Sequence, residues 1–269
     1  MIADLIAQGA LFVANHSGGK DSQAMLIKML DMGIPRRQIL VIHATLGEVE
    51  WPGALELAKK QAEDAGLPFI VAEAVKSLLG MVTHRFTVRP DAPSWPSASN
   101  RQCTSDLKRG PIEREIRRYA KANGFSLIVN CMGLRAQESS GRAKLAVFKK
   151  HERNSVAGRS WYDWLPIHSL LTIEVFTMIA GAGQRPHWAY EAGNERLSCV
   201  FCIMASGRDL ANGAKHNPDL LAKYLELEQR TGYTMHMSRK PLSQLITEAT
   251  YQPASGAETE PCDLFSEAA

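Results

Sequence analysis

No apolar run in this chain is long enough to cross a bilayer; charged residues interrupt each one well before a span is complete. The first residues, MIADLIAQGALF, have no basic region and carry Asp4 early. They fit a secretory leader poorly, so the cytoplasm is the expected compartment and no membrane partner is expected. Cysteine is sparse, five residues at uneven spacing with no adjacent pair. Such a set argues against a disulfide framework and reads as metal or catalytic residues. No internal repeat is present. The phosphate loop G-x-x-x-x-G-K-[ST] is also missing: Ala14 takes its first glycine position, and Asp21 follows Lys20.

What is there fits a soluble globular protein. The chain has 269 residues, 45% hydrophobic and 22% charged, enough for one large α/β domain or a core with a smaller lobe. The net charge of +3 conceals an asymmetry. Residues 100 to 160 hold 14 Lys/Arg and 5 Asp/Glu, an excess of +9 on an otherwise acidic chain. A basic middle of this kind suits a polyanion, though a solvated helix face gives the same count.

Strand and helix signals alternate through the first half. ALFVANH, ILVIHAT, PFIVAEA and FSLIVNCMG read as strands. SQAMLIKMLDMG, PGALELAKKQAEDAG and GPIEREIRRYAKANG read as helices, the last with Pro111 in its first turn and Gly124 past its end. This alternation predicts a doubly wound, Rossmann-like parallel sheet over residues 1–165. A smaller, mainly helical lobe is expected over 166–249, with Cys199 and Cys202 between helices at HSLLTIEVFTMIAGAG and PDLLAKYLELEQRTG. An acidic, small-residue tail is expected over 250–269. Residues 84–104, with three prolines and little periodicity, read as a long loop, functional or disordered.

The stretch ANHSGGKDSQ lies between the first strand and the first helix of this pattern. Gly18 and Gly19 permit a tight turn, and the free N–H groups of the helix start point into it. The helix dipole and Lys20 add positive charge, which suits phosphate or pyrophosphate. An ordinary strand–turn–helix corner would look similar, but six residues, SGGKDS, in the right context are more specific.

SGGKDS resembles the pyrophosphate loop of the adenine nucleotide alpha hydrolase superfamily, of the HUP-like fold. The superfamily includes N-type ATP pyrophosphatases, tRNA thiolation enzymes and phosphoadenosine phosphosulfate (PAPS) reductases. RQCTSDLKRGPI (101–112), GLRAQESSGR (133–142) and SCVFCIM (198–204) are similar to further family segments, so the likeness spans roughly residues 10 to 235. The resemblance implies ATP binding by Ser17, Gly18, Gly19, Lys20, Asp21, Ser22, Gly133 and Arg135, with His43 and Thr45 near the adenosine. It implies catalytic roles for Lys20, Asp21, Arg135 and Arg142, the arginines clamping phosphate oxygens. Asp21 would bind Mg²⁺. Lys20 and Asp21 are both expected to face solvent. Glu48 reads equally as a second metal or ribose contact and as a surface acid, and His16 as a packing residue.

Cys199 and Cys202 form one C-x-x-C, usable by zinc, an iron–sulfur cluster or redox chemistry. Cys103 is the natural third ligand. Three thiolates would suit a [4Fe–4S] cluster with an open iron, as the resemblance to tRNA thiolation enzymes implies; Zn²⁺ with a histidine such as His216 is the alternative. Cys131 reads as a fourth ligand or a buried hydrophobe, and Cys262 falls in the tail. The reductases carry a C-terminal E-C-G-[LI]-H, and here the late match is EPCDLF, without the glycine or the histidine. The compact size and single late C-x-x-C resemble instead the ATP pyrophosphatase subunits of DNA phosphorothioation systems. That implies an adenylating ATP pyrophosphatase, with nucleic acid as partner (DNA ahead of tRNA) and a cysteine desulfurase or other sulfur donor. Arg114, Arg117, Arg118, Lys121, Lys144, Lys149, Lys150 and Arg153 would hold the backbone. PAPS or adenylylsulfate reductase, tRNA thiolation enzyme and a non-catalytic nucleotide-binding subunit stay open, as does the oligomeric state, a homodimer included.

Overall fold

The structure, a computed structural model, describes residues 1–251. Its centre is a six-stranded sheet of order β3-β2-β1-β4-β6-β5. The strands are β1 (Leu11–Asn15), β2 (Ile39–Thr45), β3 (Phe69–Glu73), β4 (Leu127–Met132), β5 (Phe148–Lys150) and β6 (Ser160–Trp164). All neighbours pair in parallel except β5, which runs antiparallel to β6 along the edge. The helices are α1 (Ile2–Ala7), α2 (Lys20–Asp31), α3 (Ala54–Asp64), α4 (Leu78–Val88), α5 (Gln102–Thr104), α6 (Gly110–Ala122), α7 (Ser140–Ala143), α8 (Thr172–Gly181), α9 (Trp188–Glu191), α10 (Gly207–His216), α11 (Pro218–Thr231) and α12 (Leu242–Tyr251). The expected α/β class is the one observed.

The central strands read as unbroken apolar runs because helices cover both faces. On one face Phe12, Ala14 and Val41 pack against Met25, Leu26 and Met29 of α2. On the other, Leu11, Val13 and Ile128 meet Ile116 and Ala120 of α6. Each fully buried large apolar side chain contributes about 1.5–3 kcal/mol. Sequential windings leave β1 in opposite directions, toward β2 on one side and β4 on the other. The carboxyl ends of β1 and β4 therefore form the switch-point crevice where ligands bind in open α/β sheets.

The sheet ends at Trp164 and the chain beyond is mainly helical. Val175 and Ile179 of α8 pack on Ala24 and Ile27, covering the outer face of α2. Helices α10 to α12 share a core with Val49, Trp51, Val82 and Trp95. The segment 84–104 departs from its expected form. Its first residues complete α4, capped by the Ser77 hydroxyl, which accepts from the Gly80 N–H at 3.1 Å. Gly80 and β-branched residues weaken the local helix signal, and burial of Leu78 and Val82 overrides it. The remainder is not an open loop: Ser94 and Trp95 are buried, and Trp95 stacks on Tyr224 at 5.4 Å. Strands β5 and β6 were not expected from the pattern. The helix before α6 also begins earlier, at Gln102, and passes through a π-helical turn over Ser105–Arg109. Of the expected tail, residues 252–269, with Cys262, lie outside the described residues. Among the described residues no helix is long and apolar enough to cross a membrane.

Candidate active site

Ser17, Gly18 and Gly19 join the carboxyl end of β1 to the start of α2. Gly18 has φ +73°, and a Cβ there would lie 2.4 Å from the Ala54 carbonyl oxygen, so the turn requires glycine. Gly19 is the N-cap of α2. Across the crevice, a Cβ on Gly133 would lie 2.8 Å from the Asp21 carbonyl oxygen, so glycine lets the end of β4 close on the helix start. The two glycine-bearing segments singled out in the sequence thus meet at the switch point.

Lys20, Asp21 and Arg135 converge there. Arg135 Nε donates to Asp21 Oδ1 at 2.6 Å, and Lys20 Nζ stands 3.7 Å from Asp21 Oδ2. Arg135 Nη1 also donates to Gln137 Oε1 (2.9 Å) and the Leu170 carbonyl (3.3 Å). The expectation that Lys20 faces solvent is corrected: it is 3% exposed. Its ammonium donates to the Glu195 carbonyl at 3.0 Å and lies 4.8 Å from the Tyr190 ring centre and 5.9 Å from that of Phe176. Burial holds its pKa below the ordinary lysine range, against the pull of Asp21. The Lys20 backbone N–H donates to the Tyr190 hydroxyl at 3.1 Å. Burial pushes that phenol's pKa up, so it stays protonated. Tyr190, Glu195 and Phe176 carried no signal in the sequence. They reach the loop because α8 packs on α2 and brings the following segment over it.

Glu138 gathers the other cations. It accepts from the Arg135 backbone N–H (2.9 Å), pairs with Arg142 and lies 3.8 Å from Arg196. Burial raises its pKa, but the Arg135 amide and the two guanidiniums outweigh burial and hold it below the usual carboxylate range. Arg142 thus stands beside Arg135 through one shared carboxylate.

Behind the loop lies a buried polar chain. His16 Nε2 donates to Gln61 Oε1 at 2.5 Å, and its Nδ1 accepts from the Gly18 N–H at 3.1 Å. Burial lowers its pKa to about 4, so the ring is a neutral buttress, as expected of a packing residue. Ser22 Oγ donates to the Gly19 carbonyl (2.8 Å) and accepts from the Ser17 N–H (3.1 Å). His43 is fully buried. Its Nδ1 donates to the His16 carbonyl at 2.8 Å and its Nε2 lies 2.9 Å from Glu50 Oε1. That places His43 beneath the loop. Thr45 accepts from the Gly47 N–H (3.3 Å) at the strand end. Glu48 is an exposed partner of Lys223; its neighbour Glu50, not singled out beforehand, is the acid that reaches the buried network.

The C-x-x-C folds back to this edge. Cys199 forms an isolated antiparallel bridge with Glu50, and the Val200 N–H donates to the Val49 carbonyl at 2.9 Å. Cys103 and Cys199 border the same apolar core. Burial pushes the Cys199 thiol up to about 12, Lys108 opposing and Cys202 and Cys103 adding to the rise. Beside them the Tyr224 hydroxyl and Trp95 Nε1 are buried without partners. The donor types suit a soft metal, but among the described residues no group of three or more His, Cys, Asp or Glu is arranged to hold one. The thiols as placed share a wall and do not form a ligand set. Cys131 is fully buried against α2, with its thiol pushed up by burial, which is the hydrophobe alternative. The His216 ring packs edge-on to Trp188 at 5.2 Å. For Mg²⁺, one carboxylate plus substrate phosphates is a usual environment. At this loop the carboxylate is Asp21, which is paired with Arg135 at 2.6 Å.

These features define a doubly wound α/β protein with a glycine loop, on a helix N-terminus, at its switch point. The chain belongs to the phosphoadenosine phosphosulfate reductase family, whose sequence profile matches residues 12–205, and with it to the adenine nucleotide alpha hydrolase superfamily. It is 23% identical over 263 residues to an uncharacterized 37.8 kDa protein of Escherichia phage 186, covering 83% of this chain and 76% of that one. It is also 23% identical over 219 residues to an uncharacterized protein of Methanocaldococcus jannaschii (81% of this chain), and spans about half, 48%, of that relative's length. Among solved structures it is similar to PAPS reductase from Candida auris in a phosphate complex (TM-score 0.47, 15% identity, 74% of this chain and 85% of that one). Another is the NH3-dependent NAD synthetase of Campylobacter jejuni (TM-score 0.40, 12% identity, 94% of each chain).

Proposed function

We propose that this chain is an ATP pyrophosphatase that adenylates a nucleic-acid acceptor for sulfur insertion, with DNA phosphorothioate modification as the specific reaction. The observation that carries the reading is the meeting of Lys20, Asp21 and Arg135 at the start of α2. An acceptor oxygen attacks the α phosphorus of ATP and pyrophosphate leaves. A sulfide-level nucleophile then displaces AMP from the adenylated acceptor; persulfide sulfur from a cysteine desulfurase would first need a thiol reductant. Lys20 and Arg135, at the positive start of α2, bind and orient the triphosphate and offset its growing charge. Tyr190 and the Glu195 segment cover the loop and exclude water. Mg²⁺, when bound, would supply Lewis-acid chemistry at the phosphates. A [4Fe–4S] or zinc site would require Cys103, Cys199 and Cys202 to converge as a ligand set, and iron, zinc and sulfide analysis after anaerobic purification tests for one.

The family match supports a second reading, reduction of PAPS or adenylylsulfate. The late segment EPCDLF, which departs from E-C-G-[LI]-H at the glycine and the histidine, weighs against it. The deciding assay incubates the protein with ATP, Mg²⁺ and DNA and follows AMP and pyrophosphate, beside a parallel assay for sulfite from PAPS with a dithiol reductant. Pyrophosphate release without sulfite is expected. Sulfite from PAPS with no ATP cleavage would reverse the assignment.

A further inference from the structure

A cleft of about 710 Å³ lies apart from the phosphate-loop site, between α4, the residues that follow β3, and the π-helical turn that leads into α6. Its walls carry Lys76, His84, Arg85, Arg89 and Arg114 against one acid, Asp106. Its floor is apolar, through Ala74, Met81 and Leu107. At its mouth stand two exposed apolar side chains, Val75 (95% exposed) and Val88 (61%).

Two of these charges are paired with acids, Arg89 with Asp91 at 3.1 Å and Arg114 with Glu115 at 2.8 Å, whereas Lys76 and Arg85 form no ion pair among the described residues. On the basic stripe of α6 and beyond, Arg114 and Arg118 each lie 2.8 Å from Glu115, and Arg153 lies 2.9 Å from Glu113, with Arg117 at 3.8 Å. Those acids offset much of the excess that composition alone suggests. In the cleft, Arg85 is oriented by the neutral side chain of Gln102, so its charge is held in place and not cancelled. Arg114 lines both surfaces: its Nε pairs with Glu115, and its Nη2 donates to the Glu73 carbonyl at 2.8 Å.

We propose that this cleft seats a single-stranded or extruded segment of the nucleic-acid acceptor, an inference that rests on the reading of the acceptor given above. The cations suit the phosphates of a single strand, and the exposed valines offer its bases an apolar surface. The volume is that of a pocket for one small ligand, about 300–1,000 Å³. A concavity of this size takes one or two nucleotides and not a duplex. The wall formed by residues 102–110 places the segment at the right edge of the molecule. The same stretch carries Cys103, which borders the apolar core that Cys199 also borders. The wall is also a π-helical turn, a distortion frequent at functional sites.

The test measures binding of a short fluorescein-labelled single-stranded DNA by anisotropy over a salt series. It compares wild type with the double variant Val75→Asp, Lys76→Glu, both exposed positions, and with Lys121→Glu on the stripe as control. The cleft variant should bind about tenfold more weakly, with the slope of log K against log salt shallower by about 1. Lys121→Glu should change affinity far less. ATP affinity without DNA, measured by calorimetry, should be the same in all three. Equal affinity of cleft variant and wild type overturns the cleft assignment while leaving the adenylation reading intact. A larger loss in the Lys121 variant would move the site to the stripe. Wild type that cleaves ATP but binds no single strand, or binds only duplex, overturns the inference as well. Wild type that neither cleaves ATP nor binds DNA removes both readings.

Discussion

Replacing Asp21 by asparagine tests the site most directly, because it keeps the side-chain shape and removes one charge. Asp21 answers two cations, Arg135 at 2.6 Å and Lys20 at 3.7 Å, whose side chains are 3% and 4% exposed. Removing one partner of a buried pair typically costs about 3–5 kcal/mol, since the remaining charge is left without an anion. The Asp21 side chain is 20% exposed and Glu138 also acts on Lys20, so the lower end applies, about 3 kcal/mol. At about 2–4 °C per kcal/mol for a chain of this size, the melting temperature should fall by roughly 6–12 °C. Thermal and urea unfolding at neutral pH measure this, with an unchanged urea slope showing that the loss is stability and not compactness. The variant should also respond differently to ligand. Pyrophosphate brings an anion to the vacated place, so saturating pyrophosphate should raise the melting temperature more for the variant than for wild type. A variant melting within about 2 °C of wild type would mean that the pair contributes under 1 kcal/mol and that the buried-charge reasoning is wrong. A smaller pyrophosphate response in the variant would show that the anion does not bind there.

The His16 pKa near 4 has a pH signature. The unfolded ring binds protons from about 6.5 downward, so stability is complete above that pH and lost as pH falls toward 4, by about 3 kcal/mol in all. Urea titrations across that window should show it, and His16→Gln should flatten this part of the curve. Arg135→Lys keeps the charge but cannot fork between Asp21 and Gln137, so kcat for pyrophosphate release should fall about 10²-fold. Near-normal turnover would exclude Arg135 as a phosphate ligand. Tyr190→Phe should lower stability by about 1 kcal/mol through loss of the acceptor for the Lys20 N–H. The freed amide should at the same time tighten pyrophosphate binding, measured by calorimetry; weaker binding would show that the hydroxyl helps to hold the ligand.

Local signals made the winding legible. β1 to β4, α2, α3 and α6 each carry a full period of apolar residues bounded by glycine, proline or polar turns, and periodicity is written within one segment. SGGKDS was legible for the same reason, since its turn, its helix start and its charges are consecutive. β5 spans only Phe148–Lys150, and β6, SWYDW, shows neither a long run nor clean alternation. Their pairing with each other and with β4 makes them strands. Helix α10 contains Gly207 and Gly213, and the latter's missing side chain admits Val200 and Phe201 of the cysteine loop. A weak helix signal is thus a packing requirement set elsewhere in the chain.

The amino-acid sequence by itself determined the parallel α/β class and the glycine loop between β1 and α2. Only the tertiary structure decided what the residues around that loop touch. Asp21 and Arg135 are 114 positions apart, and Lys20 and Glu195 are 175 apart. Nothing in local spacing pairs them; the parallel registry of β1 with β4 and the packing of α8 on α2 do. The same packing turned Lys20 from an expected surface cation into a buried one, placed Glu50 and not Glu48 on the buried network, and set most of the basic stripe against its own acids. Charge and periodicity are carried residue by residue, whereas burial and partnership are properties of surfaces that exist only once the chain has closed.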